Sequence, residues 1–167
     1  MEYMGDRLIK AQLMKWNFLQ YKKNHHVYLL SEVVVPDYPY RLDLIGFNNN
    51  SVVAYEIKSS YDDFRRDKKW EKYIDFVDYF SIITPHTVDI SCEIPDNVGY
   101  IQIDFTTDRF IFHSIRTIKK GVKNKNPLIT SCQWREYLSS VSARRCVDFM
   151  VGNLKDQILE LNPNINY

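Results

Sequence analysis

The sequence predicts a mixed α/β fold, in which a β-sheet is flanked by helices, and three observations favour it. The chain has 167 residues, which is close to the length of one compact domain. Hydrophobic residues make up 45% of it and charged residues 26%, as is typical of a globular protein. Segments with helical spacing of apolar residues alternate with short runs rich in β-branched and aromatic residues. We therefore expect a single domain over residues 1–167.

The first part of the chain is predicted to form a helix followed by three strands. Apolar residues recur at steps of three and four over residues 4–23, with no proline inside the segment. Residues 27–35, 40–47 and 51–58 are strand-like runs. Three asparagines at residues 48–50 join the last two runs, and asparagine tolerates the backbone conformations that hairpin turns need. These strands should form an antiparallel meander.

The middle of the chain is predicted to form one helix and a parallel strand. Ser60, with Asp63 three residues later, resembles a capping box, and apolar residues at helical spacing follow as far as Val77. Residues 80–84 then form a short strand. Because a helix lies between this strand and the strand at residues 51–58, the two should be parallel neighbours.

The last third of the chain is predicted to contain a hairpin, a basic loop and helices. The hairpin strands are residues 99–105 and 109–115, with a turn around residues 106–108. The expected core thus covers about residues 1–115, and the basic loop covers residues 116–127. Helical spacing returns over residues 128–162, where Gly152 is a candidate break.

Composition and charge exclude several classes of protein. No apolar run approaches the roughly 18 residues of a membrane span, and the first residues show no secretory signal. Three widely spaced cysteines exclude a disulfide framework, so we expect a cytoplasmic protein with no membrane partner. The net charge is only +1, but residues 109–145 carry nine bases and one acid, which makes them +8 and the remainder −7. Such a segment is either a phosphate-facing surface or a solvated loop.

Three adjacent predicted strands each carry one carboxylate among apolar neighbours. These are Glu32, Asp43 and Glu56, and Lys58 follows two residues later on the same strand face as Glu56. A charged residue at the end of an apolar strand costs desolvation free energy unless it is paired or bound to a ligand. One interpretation is an ion pair of Lys58 with Asp43 or Glu56, since structural ion pairs also look like sites.

The other interpretation is a metal site. Converging carboxylates repel one another, so they either take up protons or bind a hard cation. Oxygen ligands suit Mg²⁺ or Mn²⁺, which neutralise a phosphodiester during hydrolysis. A lysine on the same strand face could orient the attacking water and stabilise developing charge.

The order of these elements resembles the PD-(D/E)XK nuclease superfamily, with Asp43 and Glu56-Ile57-Lys58 in its motif positions. Residues 28–104 are more specifically similar to the MmcB-like family of DNA-repair nucleases. The similarity lies in an Arg-x-Asp-Leu strand, a Glu-x-Lys-Ser-Ser motif and a later helical motif, which comprise Arg41, Asp43, Leu44, Glu56, Lys58, Ser59, Ser60, Asp63, Phe64, Arg65, Asp67, Lys69, Trp70 and Tyr73. Asp78 is shared as well.

The resemblance implies a restriction-endonuclease-like α-β-β-β-α-β core with a C-terminal helical extension. It implies a Mg²⁺- or Mn²⁺-dependent DNA endonuclease acting in repair or recombination. Asp43, Glu56 and Glu32 would be the metal ligands, and Lys58 would orient water. The basic side chains predicted to contact DNA are Arg41, Arg65, Lys69, Lys72, Lys119, Lys120 and Lys123.

Two alternatives and two partners stay open. The chain could be a catalytically inactive DNA-binding or adaptor protein on the same fold, because folds are reused without their chemistry. It could also be an accessory that binds only protein, in which case the basic segment would not contribute to DNA affinity. A homodimer and a repair-protein partner are compatible with the resemblance, although the sequence identifies no surface for either.

Overall fold

A computed structural model describes residues 4–25, 27–106 and 111–161, and it shows a mixed sheet with helices on both faces. The elements in chain order are α1 (Met4–Asn24), β1 (Leu29–Val34), β2 (Arg41–Asn48), β3 (Ser51–Ile57), α2 (Tyr61–Arg66), α3 (Trp70–Tyr73), a 3-10 turn (Ile74–Phe76), β4 (Tyr79–Pro85), β5 (Gly99–Thr106), β6 (Ile111–Lys119) and α4 (Ser131–Leu161).

The six strands follow one another in the sheet in chain order. β1, β2 and β3 are antiparallel, as expected of a meander, and β5 and β6 form an antiparallel hairpin. β3 runs parallel to β4, and β4 runs parallel to β5. The predicted mixed α/β fold, the meander and the parallel crossover from β3 to β4 are therefore confirmed.

The first core of the protein lies between α1 and one face of the sheet. Met14 and Phe18, one helical turn apart on α1, are completely buried. They pack with Leu44 of β2 and with Tyr55 and Ile57 of β3. The rings of Phe18 and Tyr55 meet edge to face, with 4.7 Å between their centroids. Because side chains alternate along a strand, Glu56 must project from the other face.

The second core lies on that other face, beneath α2 and α3. Trp70 of α3 is 1% exposed and lies parallel to the ring of Phe80 on β4, with 6.4 Å between centroids. Tyr73 meets the same ring edge to face at 6.1 Å. The aromatic residues Trp70 and Tyr73 therefore belong to the core.

The single helix predicted from residue 60 to residue 77 is wrong, because the segment forms two short helices and a 3-10 turn. α2 begins as predicted, since the hydroxyl of Ser60 accepts a hydrogen bond from the N–H of Asp63. It ends after six residues at Asp67, whose backbone is extended. At the break, the side chain of Asp67 accepts hydrogen bonds from Lys58 and from the N–H of Lys69.

Two boundaries in the C-terminal part also differ from the prediction. β6 continues to Lys119, so Arg116 and Lys119 belong to a strand that pairs with β5 and not to a loop. α4 is one helix that passes through Gly152 without a break. A single glycine costs about 1 kcal/mol in a helix, which the hydrogen-bond ladder of a long helix tolerates. Of the predicted turn at residues 106–108, residues 107 and 108 lie outside the described residues.

The chain divides into two compact units, Met1–Ser131 and Cys132–Tyr167. The first contains the sheet with α1, α2 and α3, and the second contains α4 from its second residue onward. The single domain expected from the length stays a prediction. None of the helices in the described part of the chain has the length and apolarity that crossing a membrane requires.

Candidate functional site

The three predicted acids lie side by side across β1, β2 and β3. Leu44 pairs with Tyr55, so the next residues, Asp43 and Glu56, face each other across the antiparallel strands. On the other side of β2, the pairs formed by residues 31 and 33 bracket Glu32 and place it opposite Asp43. The geometric expectation that Asp43 and Glu56 share one face of the sheet is therefore confirmed.

Asp43 is held in place from β3. The backbone N–H of Ile57 donates a hydrogen bond of 2.8 Å to its Oδ2. On the other side, the ammonium of Lys15 from α1 lies 3.6 Å from its Oδ1. Burial raises the pKa of Asp43 above its ordinary value, although the Ile57 hydrogen bond and the charge of Lys15 oppose that shift.

Glu56 is the most strongly perturbed carboxyl group of the site. Its side chain is buried, and burial together with the charge of Asp43 raises its pKa to about 8. Oε1 accepts a hydrogen bond of 3.1 Å from Lys58. Oε2 is buried and has no hydrogen-bond partner within the part of the chain that the structure describes. A buried carboxylate oxygen without a donor is unfavourable unless a cation or a proton neutralises it.

Lys58 follows β3 directly and is almost completely enclosed, with 2% of its side chain exposed. Its ammonium donates to Glu56 Oε1 at 3.1 Å and to Asp67 Oδ2 at 2.9 Å. Burial acts to lower the pKa of Lys58, but the two carboxylates outweigh it and hold the pKa above its ordinary value. The ion pair that the structural interpretation predicted is thus present, and it occupies one of the two oxygens of Glu56.

Glu32 lies in this row of acids but is neutralised by its neighbours. Its backbone has a φ of 53°, which is uncommon for a residue other than glycine. The ammonium of Lys15 forms an ion pair with its Oε1, and Arg41 Nε lies 2.9 Å from its Oε2. The negative charge of Glu32, which lies opposite Asp43, is therefore balanced by the cations of Lys15 and Arg41.

The fit to a divalent ion rests on Asp43 and Glu56. Among the described residues there is no group of three or more His, Cys, Asp or Glu side chains arranged to hold a metal ion. Two facing carboxylates with raised pKa values, one of them with an oxygen that lacks a partner, nevertheless suit a hard cation whose remaining ligands are waters. Mg²⁺ characteristically binds through one or two carboxylates and retains several waters.

Sequence reasoning missed two residues of this site. Lys15 lies on α1, and nothing in the spacing of that helix indicates a contact with an acid on β1. Asp67 is among the residues that resemble the MmcB-like family, but its Asp-x-Lys tripeptide is common by chance and does not indicate the contact with Lys58. Neither residue gives a local signal, because both contacts join separate elements.

The residues predicted to contact DNA fall into two groups. Arg65, Lys69 and Lys72 are exposed on α2 and α3 or at the junction between them, and these helices cover the face that carries Glu56. Arg41 also exposes two thirds of its side chain, although it is paired with Glu32.

The predicted lysines at the end of β6 and after it lie elsewhere. Lys119 and Lys120 line a cleft of about 380 Å³ together with Val53 and Tyr55. These two residues of β3 point to the face opposite Glu56, so the cleft is separate from the acids. The Lys119 ammonium is already 3.1 Å from a carboxylate oxygen of Asp96.

Comparison with known proteins identifies the family. The family model described as "Bacteriophage P4 protein cII" matches residues 2–161. A search of curated proteins gives no match. A solved protein of unknown function from Silicibacter pomeroyi, SPO1766, is 18% identical, with a TM-score of 0.66 over 82% of this chain and 88% of that one. This likeness supports the fold alone. The match over residues 2–161 shows that the chain belongs to the bacteriophage P4 protein cII family.

Proposed function

We propose that the protein is a metal-dependent DNA endonuclease of the PD-(D/E)XK type. The observation that carries this proposal is the facing pair Asp43 and Glu56, in which one buried oxygen of Glu56 has no donor among the described residues. A purely structural ion pair would not need a second carboxylate opposite the first, nor an oxygen left without a partner. The resemblance to the MmcB-like nucleases assigns the same residues.

Each residue of the site has a distinct role in this proposal. Asp43 and Glu56 would hold the divalent ion, and the N–H of Ile57 fixes the Asp43 carboxylate for that purpose. When bound, Mg²⁺ or Mn²⁺ supplies a Lewis acid for the phosphodiester and lowers the pKa of a bound water. The Lys58 ammonium would orient the attacking water and stabilise the charge that develops on the phosphate oxygens. The exposed cations Arg65, Lys69 and Lys72 would contact neighbouring phosphates.

The test is cleavage of supercoiled plasmid, single-stranded and branched DNA in the presence of Mg²⁺ or Mn²⁺. Asp43→Asn and Glu56→Gln should each lower the rate by about 100-fold or more, because they remove groups that act in the transition state. Glu71→Gln is the matched control, since it removes an exposed carboxylate of α3. Failure of the wild-type protein to cut any substrate with either metal, or undiminished cleavage by both variants, would contradict the proposal.

A second candidate function is DNA binding without cleavage. It is favoured by one specific observation, namely that Lys15 and Arg41 form ion pairs with Glu32, so one of the three predicted metal ligands is engaged by cations of the protein itself. In that case DNA binding should weaken with salt, and Mg²⁺ should leave the melting temperature unchanged. If the proposed endonuclease is correct, Mg²⁺ raises the melting temperature of the wild-type protein but not that of Glu56→Gln.

A further inference from the structure

We propose that Asp67 is a positioning residue, which holds the ammonium of Lys58 so that one oxygen of Glu56 stays available to a cation. The inference rests on the proposed nuclease function, and it gives a role to an acid outside the predicted metal-ligand set. Its basis is the set of contacts that Asp67, Lys58 and Glu56 make with one another.

Both oxygens of the Asp67 carboxylate accept a hydrogen bond. Its Oδ1 accepts a hydrogen bond of 2.9 Å from the backbone N–H of Lys69, and its Oδ2 accepts one of 2.9 Å from Lys58. Its backbone leaves the helical conformation at the end of α2, with a φ of −100° and a ψ of 106°. Each oxygen thus has a donor of its own, so the carboxylate can serve as a fixed point for the ammonium.

The ammonium of Lys58 lies between two carboxylates on separate elements. Glu56 projects from β3, whereas Asp67 approaches from the junction between α2 and α3. Without Asp67, the enclosed ammonium would keep Glu56 as its nearest anion and could move to contact both of its oxygens. With Asp67 in place, Lys58 contacts only Oε1, and Oε2 has no hydrogen-bond partner within the described residues. One oxygen of Glu56 thus contacts the ammonium of Lys58 and the other stays available, which is what binding of a cation by this carboxylate requires.

The break between α2 and α3 lies at the residue that makes this contact. A continuous helix would direct the side chain at position 67 by helical geometry, whereas the extended backbone of Asp67 brings it to Lys58. A carboxylate that merely ended the helix would need only its bond to the N–H of Lys69. The second contact, with an ammonium that is 2% exposed, indicates a role beyond ending the helix.

The decisive variant is Asp67→Asn, which keeps the shape of the side chain and removes its charge. Asp62→Asn is the control, because Asp62 is an exposed acid on the same short helix, and its carboxylate lies 3.9 Å from the guanidinium of Arg66. The first measurement is the ¹⁵N-detected ammonium signal of lysines in the metal-free protein, with Lys58 assigned by the loss of its signal in Lys58→Met. A held ammonium exchanges slowly with water, so the Lys58 signal should be present in the wild type and in Asp62→Asn. It should be broadened beyond detection in Asp67→Asn.

The second measurement is the kinetics of DNA cleavage. Asp67→Asn should lower kcat by about 10-fold or more and leave KM within about twofold, because misplacing a catalytic group impairs the chemical step and not the binding of DNA. Asp67→Glu, which retains the charge, should recover part of kcat.

The outcomes separate this inference from the function on which it rests. A Lys58 signal that survives in Asp67→Asn, or a kcat for that variant equal to that of the wild type, overturns the positioning role. If Asp67→Asn does not fold, Asp67→Glu decides, and a lost Lys58 signal in that variant together with an unchanged kcat also overturns it. If the wild-type protein cuts no DNA, the proposed function fails, while the ammonium signal still shows whether Asp67 holds Lys58.

Discussion

Glu56 is the residue at which burial and charge conflict most directly. Its carboxyl group is removed from water and faces Asp43, and both effects favour the protonated form. The pKa of about 8 means that the folded protein retains a proton there at pH values at which the unfolded chain has lost it. A site of this kind lowers stability near neutral pH, and binding a cation would reverse that loss.

The first prediction concerns the pH dependence of stability. Because the folded pKa of Glu56 is about 8 and its ordinary value is 4.5, the free energy of unfolding should fall as the pH rises from about 4.5 to 8. Each pH unit of difference between the two pKa values corresponds to about 1.4 kcal/mol. Urea unfolding of metal-free protein at pH 5, 6, 7 and 8 measures this slope, which should be flatter in Glu56→Gln. Equal slopes in the two proteins would contradict the pKa assigned to Glu56.

At the scale of single residues, the sequence predicts which side chains lie on the same face of a strand. Asp43, Glu56 and Lys58 could be placed on one face because alternation is local, and the two-strand hairpin leaves little freedom of register. Asp67 and Lys15 could not be placed, since each reaches the acids from an element whose position depends on the packed fold. The neutralisation of Glu32 was missed for the same reason.

At the scale of elements, Asp78 joins segments that are distant in the chain. Its buried carboxylate accepts hydrogen bonds from the N–H of Val52 at 2.7 Å and from the hydroxyl of Ser131 at 2.9 Å. Its backbone carbonyl accepts a third from the N–H of Asn124 at 2.8 Å. Asp78 therefore fixes the start of β3 and the loop after β6. These contacts give the acid before β4 a structural role that does not depend on catalysis.

The second prediction follows from those hydrogen bonds. Asp78→Ala should lower the free energy of unfolding by about 1–3 kcal/mol, because it leaves the buried N–H of Val52 without an acceptor. The carboxylate of Asp75, three residues earlier, provides the control variant Asp75→Ala. Chemical denaturation of both proteins gives the comparison, and similar stabilities for the two variants would show that Asp78 contributes little.

Some boundaries of helices and strands can be predicted from neighbouring residues alone. The hydroxyl of Ser60 caps α2 as its sequence pattern predicts, because a capping box involves residues three positions apart. At the end of α2 Asp67 contacts Lys58, and the extension of β6 to Lys119 pairs with β5, so both involve contacts with another element of the fold. The prediction from periodicity alone therefore treated α2 and α3 as one helix and ended β6 too early.

For the whole molecule, part of the positive charge of residues 109–145 lies on an anchored loop. The N–H groups of Val122 and Leu128 donate to carbonyls of Asn97 and Asp75, at 3.0 and 2.8 Å. Between these two bonds the side chains of Lys123 and Lys125 are exposed. A loop whose backbone is held at both ends presents its cations in a defined place, as a surface that binds a phosphate backbone would.

The third prediction concerns that loop. Changing Lys120 and Lys125 together to alanine should weaken DNA binding, because fewer phosphates are then neutralised. Lys123 is left unchanged because its ammonium lies 3.8 Å from Oδ1 of Asp78. The slope of log K against log salt should become shallower by about 0.9 for each phosphate that the variant no longer neutralises. Lys119→Ala is the control, since Asp96 already neutralises that ammonium, and it should have a smaller effect. Fluorescence anisotropy of labelled DNA at several salt concentrations measures both, and an unchanged slope in the double variant would favour the solvated-loop interpretation.

The turn between β2 and β3 sets a limit on how this chain can vary. Asn48 pairs with Ser51, so only two residues reverse the chain, and Asn49 adopts a left-handed φ of 55°. Inserting one residue there would advance β3 by a single position and turn Glu56 toward α1, while Tyr55 would replace it opposite Asp43. The placement of Glu56 opposite Asp43 therefore depends on the length of a two-residue turn that lies outside the row of acids.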